Sequence, residues 1–204
     1  MNKKQEQYFT NQPTSAHDLH TINFNFSGRE LIFKTDAGVF SKLRVDFGTK
    51  VLLETIHSHF QELPDGKILD LGTGYGPVGI SLKALKPDLK IDMVDVNQRS
   101  LNLAKNNLEL NDFSANVFQS NIYENVTGSY AAIIVNPPIR AGKTVVTKML
   151  VESKKHLING GIILAVLQKK QGAPSAERNL KNTFENVEIL KRNKGYYVLQ
   201  SVND

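Results

Sequence analysis

The chain has 204 residues, 40% of them hydrophobic and 22% charged, with a net charge of +5 and neither cysteine nor tryptophan. That length supports one large domain whose core needs no disulfide or metal staple. The missing cysteine excludes disulfides, thiolate zinc sites and every cysteine-nucleophile mechanism, including thiol-initiated methylation of a pyrimidine ring carbon.

No apolar run approaches a membrane span, and the polar stretch Met1 to His20 has no apolar segment behind Lys3 and Lys4. A cytoplasmic protein with no membrane partner is expected. The basic excess permits a polyanion as partner without requiring one.

In chain order, residues 1–47 read as a polar arm and a β-hairpin extension, and 48–204 as the main domain. Thr21 to Phe26 alternates Ile22, Phe24 and Phe26 with polar residues. Ser27-Gly28 signals a two-residue turn, and Arg29 to Thr35 carries Leu31 and Phe33 on one face. After a loop containing Gly38 and Gly48, Leu52, Leu53, Ile56 and Phe60 fall at helical spacing, with Thr49 as N-cap. Past the Pro64-Asp65-Gly66 turn, strands at 67–71, 90–94, 115–119, 131–135 and 162–167 alternate with helices at 77–86, 98–111, 143–158 and 175–184. That alternation predicts an α/β fold with a doubly wound, mostly parallel sheet. The last two strands, 186–191 and 195–201, are too close for a crossover and should run antiparallel, completing seven strands.

The most informative stretch is Asp70-Leu71-Gly72-Thr73-Gly74-Tyr75-Gly76-Pro77: a buried strand, a glycine-rich turn, then a helix with proline in its first turn. Glycines let backbone approach a ligand, and the free amides of a helix start favour a polar or anionic group. Asp70 ends the first strand. Asp95 ends the second, about 20 residues beyond Gly72, where a carboxylate accepts hydrogen bonds from a ribose diol. These features ask for an adenosine-like ligand and fit a nicotinamide or an S-adenosylmethionine enzyme equally.

Residues 131–135 then run into Asn136-Pro137-Pro138-Ile139. At the carboxyl end of a central strand, the Asn136 side-chain carbonyl and the Pro137 backbone carbonyl offer two converging acceptors. Such a pair grips both hydrogens of an exocyclic amino group and aims its lone pair at an incoming methyl group. A dehydrogenase has no use for that clamp.

Residues 67–139 resemble the S-adenosylmethionine-dependent methyltransferases that act on planar amino groups. Gly38-Val39-Phe40-Ser41, Asp46-Phe47-Gly48-Thr49, the Asp70 to Gly76 stretch, Asn136-Pro137-Pro138 with Gly142, and Gly195 to Leu199 resemble, more narrowly, the small-subunit (16S) ribosomal RNA guanine exocyclic-amine methyltransferase family, in a single-domain version. The resemblance implies a class I methyltransferase with S-adenosyl-L-methionine as cofactor, ribosomal RNA or the small ribosomal subunit as partner, and no metal. It implies that Asp70, Gly72, Thr73, Gly74 and Gly76 hold the methionine part of the cofactor, and that Asp95, Val96 and Asn97 surround the ribose. Asn121 and Ile122 would lie beside the adenine. Asn136, at the junction of cofactor and amine, acts with Pro137 and Pro138 in catalysis, and Ile139 and Arg140 meet the substrate. Two positions depart from the pattern: Asn121 stands where the family has an acid, and Ile139 where related enzymes stack an aromatic ring on the flipped base.

Arg140, Lys143, Lys169 and Lys170 follow strand ends and are expected on the edge that carries the clamp, within reach of phosphate. Asp46 and the Phe40-Ser41 pair are expected near the cofactor pocket, and Tyr196-Tyr197 to pack a strand. The five histidines show no metal-ligand spacing. Two other readings stay open at this point. One is a methyltransferase acting on a protein glutamine amide or DNA adenine. The other is a non-catalytic RNA-binding module with a methyltransferase shape.

Overall fold

The structure, a computed structural model, describes residues 17–39, 41 and 43–204. The expected arm at 1–16 and the expected pocket residue Phe40 lie outside them. A two-stranded hairpin precedes the main sheet: β1 (His20–Phe26) and β2 (Arg29–Thr35), joined by Ser27 and Gly28 at φ 51° and 78°. Positive φ at both turn residues matches the right-handed twist of the flanking strands.

The main sheet contains β3 (Ile68–Leu71), β4 (Ile91–Asp95), β5 (Asn116–Gln119), β6 (Tyr130–Val135), β7 (Leu157–Gln168), β8 (Glu188–Asn193) and β9 (Tyr196–Asn203). Its order is β5-β4-β3-β6-β7-β9-β8. The pairs among β3 to β7 are parallel, and β9 runs antiparallel to both β7 and β8, as the short final connection requires. The turn into β9 is tighter than the sequence suggests. Lys194 and Gly195, at φ 44° and 82°, form a two-residue turn and let both strands extend.

Among the described residues, five α-helices cover the sheet: α1 (Phe47–Ser58), α2 (Pro77–Leu85), α3 (Gln98–Leu110), α4 (Lys143–Val151) and α5 (Ala173–Phe184). Two differ from expectation. The N-cap of α1 is Asp46, not Thr49: the Asp46 carboxylate accepts the Thr49 amide at 3.2 Å, so Thr49 lies inside the first turn. The expected boundary between 47 and 48 also falls in that turn. The second difference is α4, which stops at Val151 instead of reaching Ile158. A 3-10 turn, Glu152–His156, follows, and Leu157 already pairs with Tyr130 in the sheet. Apolar residues there obey helical spacing, yet strand pairing claims them.

Alternate residues of the hairpin, Ile22, Phe26, Leu31 and Phe33, join Leu52, Leu53 and Ile56 of α1 and Ile80 and Leu82 of α2 in one core cluster. Leu31 and Phe33 are fully buried. Each contributes roughly 2–3 kcal/mol by leaving water. The exposed edge of β2 is closed by side chains of α3. Asn107 accepts from the Lys34 amide at 2.7 Å and donates to its carbonyl at 2.9 Å, and Asn111 does the same for Ile32 at 3.0 and 2.8 Å. The two asparagines thus stand in for a neighbouring strand. Asn107 also donates to the Tyr75 carbonyl at 2.8 Å, tying the hairpin to the glycine-rich turn. Among the described residues, no helix is long and apolar enough to cross a membrane.

Replacing Asn107 with Ala leaves three backbone groups without partners. Urea unfolding should show a loss of about 2–4 kcal/mol. A change under about 0.5 kcal/mol would mean the hairpin does not depend on this bridge.

Candidate active site

The carboxyl ends of β3, β4, β5 and β6 open on one cleft. It is lined by Leu71, Gly72, Gly74, Asp95, Val96, Ser100, Ser120, Asn121, Ile122, Asn136, Pro137, Pro138, Ala141, Val145 and Met149. The turn after β3 is built from beneath. Asp70 is buried, and its Oδ2 accepts from Thr73 Oγ1 at 2.6 Å and the Gly79 amide at 2.9 Å. The Gly72 and Thr73 amides both donate to the Val94 carbonyl, at 2.8 and 2.9 Å. Asp70 and Thr73 therefore shape the turn and do not line the cleft.

The glycines of that turn divide by function. Gly76 starts α2 at φ 94°, and a Cβ there would lie 2.9 Å from Ile80 Cδ1 and 3.0 Å from Met93 Cε. Its reason is packing, and it lies behind the cleft. Gly74, at φ 58°, has nothing within 4 Å of its ideal Cβ, so the space beside it is open to a ligand.

Asp95 is the centre of the adjacent wall. Its Oδ2 accepts from the Gly74 amide at 2.9 Å and its Oδ1 from the Asn97 amide at 2.8 Å. Each carboxylate oxygen keeps lone-pair capacity toward the cleft. Asn97 itself is fully buried. It caps α3 through the Arg99 and Ser100 amides and donates to the Gly38 carbonyl at 3.1 Å, so it braces the wall from behind. Arg99 Nη1 donates to the Ala37 carbonyl at 2.8 Å, a second anchor for the same loop.

The far wall follows β5. Ser120 donates to the Ile122 carbonyl at 2.8 Å and accepts the Asn125 amide at 3.1 Å. This knot holds Ile122 at φ 56°, a strained conformation for a β-branched residue and one common at binding sites. Asn121 donates its side-chain nitrogen to Glu124 at 2.8 Å. Its Oδ1 makes no hydrogen bond among the described residues.

At the opposite end, Asn136 Nδ2 donates to Thr49 Oγ1 at 2.9 Å and to Asp46 Oδ2 at 3.3 Å. The Asp46 carboxylate, which can only accept, fixes that end of the amide as nitrogen, and the Thr49 hydroxyl accepts beside it. The Asn136 Oδ1 and the Pro137 carbonyl have no partner among the described residues. Ile139 is not part of this arrangement. It enters a groove between α4 and α5 with Val146, Leu150 and Ala176. Arg140 and Lys143 are exposed.

Sequence reasoning thus finds the glycine turn, Asp95, Asn121 and the Asn-Pro-Pro segment. It leaves out Ser100, Ser120, Ala141, Val145 and Met149, which line the cleft, and Thr49. Asp46 meets Asn136 instead of lining the cleft, and Ser41 bonds the Arg44 carbonyl. For Ser120 a signal existed, a serine and an asparagine just after a strand; for Met149 there was none, since it arrives from α4.

Burial pushes both site carboxyls up to about 6, and the nearby Asp95 charge adds to the upward shift of Asp70. The proton on Asp95 is therefore kept in the folded chain between about pH 4 and about pH 6, where the unfolded chain has released it. Rising pH across that window favours the unfolded state through this group.

The fold and its site define a class first. Seven strands in this order, with one reversed strand beside the last parallel pair and a glycine turn at the switch point, are the class I methyltransferase architecture. The T. thermophilus 16S rRNA N2 methyltransferase solved with AdoMet and guanosine superposes with a TM-score of 0.82 at 24% identity, covering 94% of this chain and 52% of that one. The methyltransferase small domain family matches residues 30–200. Uncharacterized protein YbxB of Bacillus subtilis is 39% identical over 199 residues, 96% of this chain and 98% of its own length. The chain belongs to the methyltransferase small domain family. The ribosomal RNA small subunit methyltransferases C of Haemophilus influenzae (strain Rd) and Serratia proteamaculans are each 32% identical, over 72% and 84% of this chain. The chain spans about half of their length, 45% and 49%.

Relative to the parent chain, Asp95→Asn should gain unfolding free energy as pH rises from about 4 to about 6 and hold that difference above. Urea titrations across this range measure it. A difference that shrinks with rising pH would contradict the burial of a protonated Asp95.

Proposed function

We propose that this chain is an S-adenosylmethionine-dependent methyltransferase that modifies the exocyclic amino group of a guanine in small-subunit ribosomal RNA. The observation that carries this reading is the held amide of Asn136, with its nitrogen on Asp46 and Thr49, at a cleft that Asn136 and Pro137 both line. The names of the relatives from H. influenzae and S. proteamaculans, and the net charge of +5, support ribosomal RNA as the substrate class.

The residues of the cleft fit the cofactor. Gly72 and Gly74 leave room for its amino-acid end beside backbone. Asp95, with capacity left on both oxygens, suits a ribose diol, and Asn121 Oδ1 suits the amino group of an adenine. Val96 and Ile122 flank that ring with apolar surface. Buried Asp70 keeps negative potential under the turn, favourable to an ammonium group. In this reading Asp70, Thr73, Gly76 and Asn97 act by holding the walls.

When bound, the cofactor supplies a methyl group already activated on a sulfonium, so the protein contributes position more than acid–base chemistry. The guanine amino nitrogen is a poor nucleophile because its lone pair is delocalised into the ring. Asn136 Oδ1 and the Pro137 carbonyl accept its two hydrogens, localise that pair and stabilise the positive charge that develops on nitrogen. Pro137 and Pro138 fix the backbone that presents the carbonyl. The displaced proton leaves to water at the open mouth. Reaching the clamp requires the base to leave its stack, at a few kcal/mol.

Asn136→Ala should lower turnover on small ribosomal subunits by at least about 100-fold, while calorimetry finds cofactor affinity within about threefold of the parent. Equal loss of both would assign Asn136 to cofactor binding alone.

A further inference from the structure

With Ile139 in the α4–α5 groove, the cleft lining contains no aromatic side chain among the described residues. A flipped base needs a face to lie on, and two rings pack at the turn whose residues hold the Asn136 amide. Gly48 lies between Asp46 and Thr49, the two residues that hold Asn136. A Cβ on Gly48 would sit 2.8 Å from Tyr196 Cε1, so the tyrosine ring packs directly on this turn. Phe47 meets Tyr196 edge to face, with centroids 5.5 Å apart and planes at 62°. Both rings are half-buried. Tyr197, one residue on, turns to the other face of the sheet and packs against the α5 side. Strand alternation thus separates two tyrosines that look equivalent in sequence.

The same edge is cationic. Lys194 Nζ stands 5.5 Å over the Phe47 ring, while Arg192 lies 5.1 Å over the Tyr197 ring on the opposite face. The Lys169 amide donates to the Gly195 carbonyl at 2.7 Å, which joins the turn after β7 to the β8–β9 turn. Lys169, Lys170, Arg192 and Lys194 are exposed, and none forms an ion pair among the described residues. Topology puts this rim on the β7-β9-β8 half of the sheet, across β6 from the β3-β4-β5 walls of the cleft.

We propose that Phe47 and Tyr196 form the stacking platform for the extruded target base, and that Lys169, Lys170 and Lys194 hold the phosphates of the RNA strand it leaves. The inference rests on the RNA methyltransferase reading. Rings beside a cationic track are what single-stranded nucleic acid binds: bases stack on aromatic faces and the backbone follows the charge. Lys194 lies over the Phe47 ring. Its ammonium can move to a phosphate when a base takes the ring face.

The test needs no methyl transfer. A short single-stranded RNA carrying one 2-aminopurine is titrated into the full chain in the presence of S-adenosylhomocysteine, reading fluorescence quenching and affinity. Tyr196→Leu and Phe47→Leu should each weaken binding about 5- to 100-fold and abolish the quench. Tyr196→Phe should restore both, and Ile139→Ala should change neither. Lys169→Ala with Lys194→Ala should flatten the slope of log affinity against log salt by about 1.4. Unchanged S-adenosylhomocysteine affinity and thermal melting certify that the variants fold. The platform is overturned if both Leu variants keep the quench, or if Ile139→Ala loses it. The rim is overturned if the salt slope is unaltered or if an acidic protein competes with the RNA at equal charge. Parallel methylation of small subunits by the parent chain reports separately on the guanine reading, so either can fail alone.

Discussion

The site depends on one side-chain amide being held the right way round. Asn136 carries a donor end and an acceptor end of nearly equal size, and only the acceptor end is useful to an amino group. Asp46 and Thr49 present a carboxylate and a hydroxyl to the same end; the hydroxyl can donate as well as accept, so it is the acceptor-only Asp46 carboxylate that would meet the amide oxygen as a repulsive contact if the amide were turned over. A hydrogen bond to a charged group is worth about 1.5–3 kcal/mol, enough to keep the wrong orientation rare. This lock joins two parts of the chain far apart in sequence. Parallel pairing with β3 and β7 sets the end of β6. The start of α1 is set by the core it shares with the hairpin.

The cleft is assembled from features that work against stability. Asp70 and Asp95 are carboxyls withdrawn from water, and Ile122 sits in a backbone region that disfavours a branched side chain. Strain of that sort costs of order 1–3 kcal/mol per residue. The surrounding scaffold offsets it: Leu69, Ile80, Met93 and Ile133 are fully buried in the core clusters on the two faces of the sheet. Such an arrangement holds its polar groups in place before a ligand arrives. A ligand bearing hydroxyl and ammonium groups finds partners already positioned.

Much of this was legible in the residues. Alternating strand and helix patterns disclosed the sheet, and the short gap before Gly195 disclosed its one reversed strand. The glycine turn, Asp95 and the Asn-Pro-Pro segment announced themselves because their chemistry is local to a few adjacent positions. What stayed hidden depends on distant contacts. Thr49 looks like a helix cap until Asp46 is seen to take its amide, and its hydroxyl has no apparent purpose until Asn136 is beside it. Asn97 is expected beside the ribose and instead braces that wall from behind, while Asn107 reads as an ordinary polar helix residue and closes a strand edge. Ile139 sits where neighbouring sequence suggests contact with substrate, while the 3-10 turn after Pro138 carries it into another groove. Tyr196 and Tyr197 differ only by strand face, which the sequence alone does not assign.

The central claim is that two carbonyl oxygens select an exocyclic amine of guanine. Its most direct test is to incubate the chain with small ribosomal subunits and methyl-labelled S-adenosylmethionine, digest the RNA to nucleosides and identify the labelled one by mass spectrometry. The account predicts label in N2-methylguanosine. Label on a ring nitrogen, on a ribose or on ribosomal protein would contradict it.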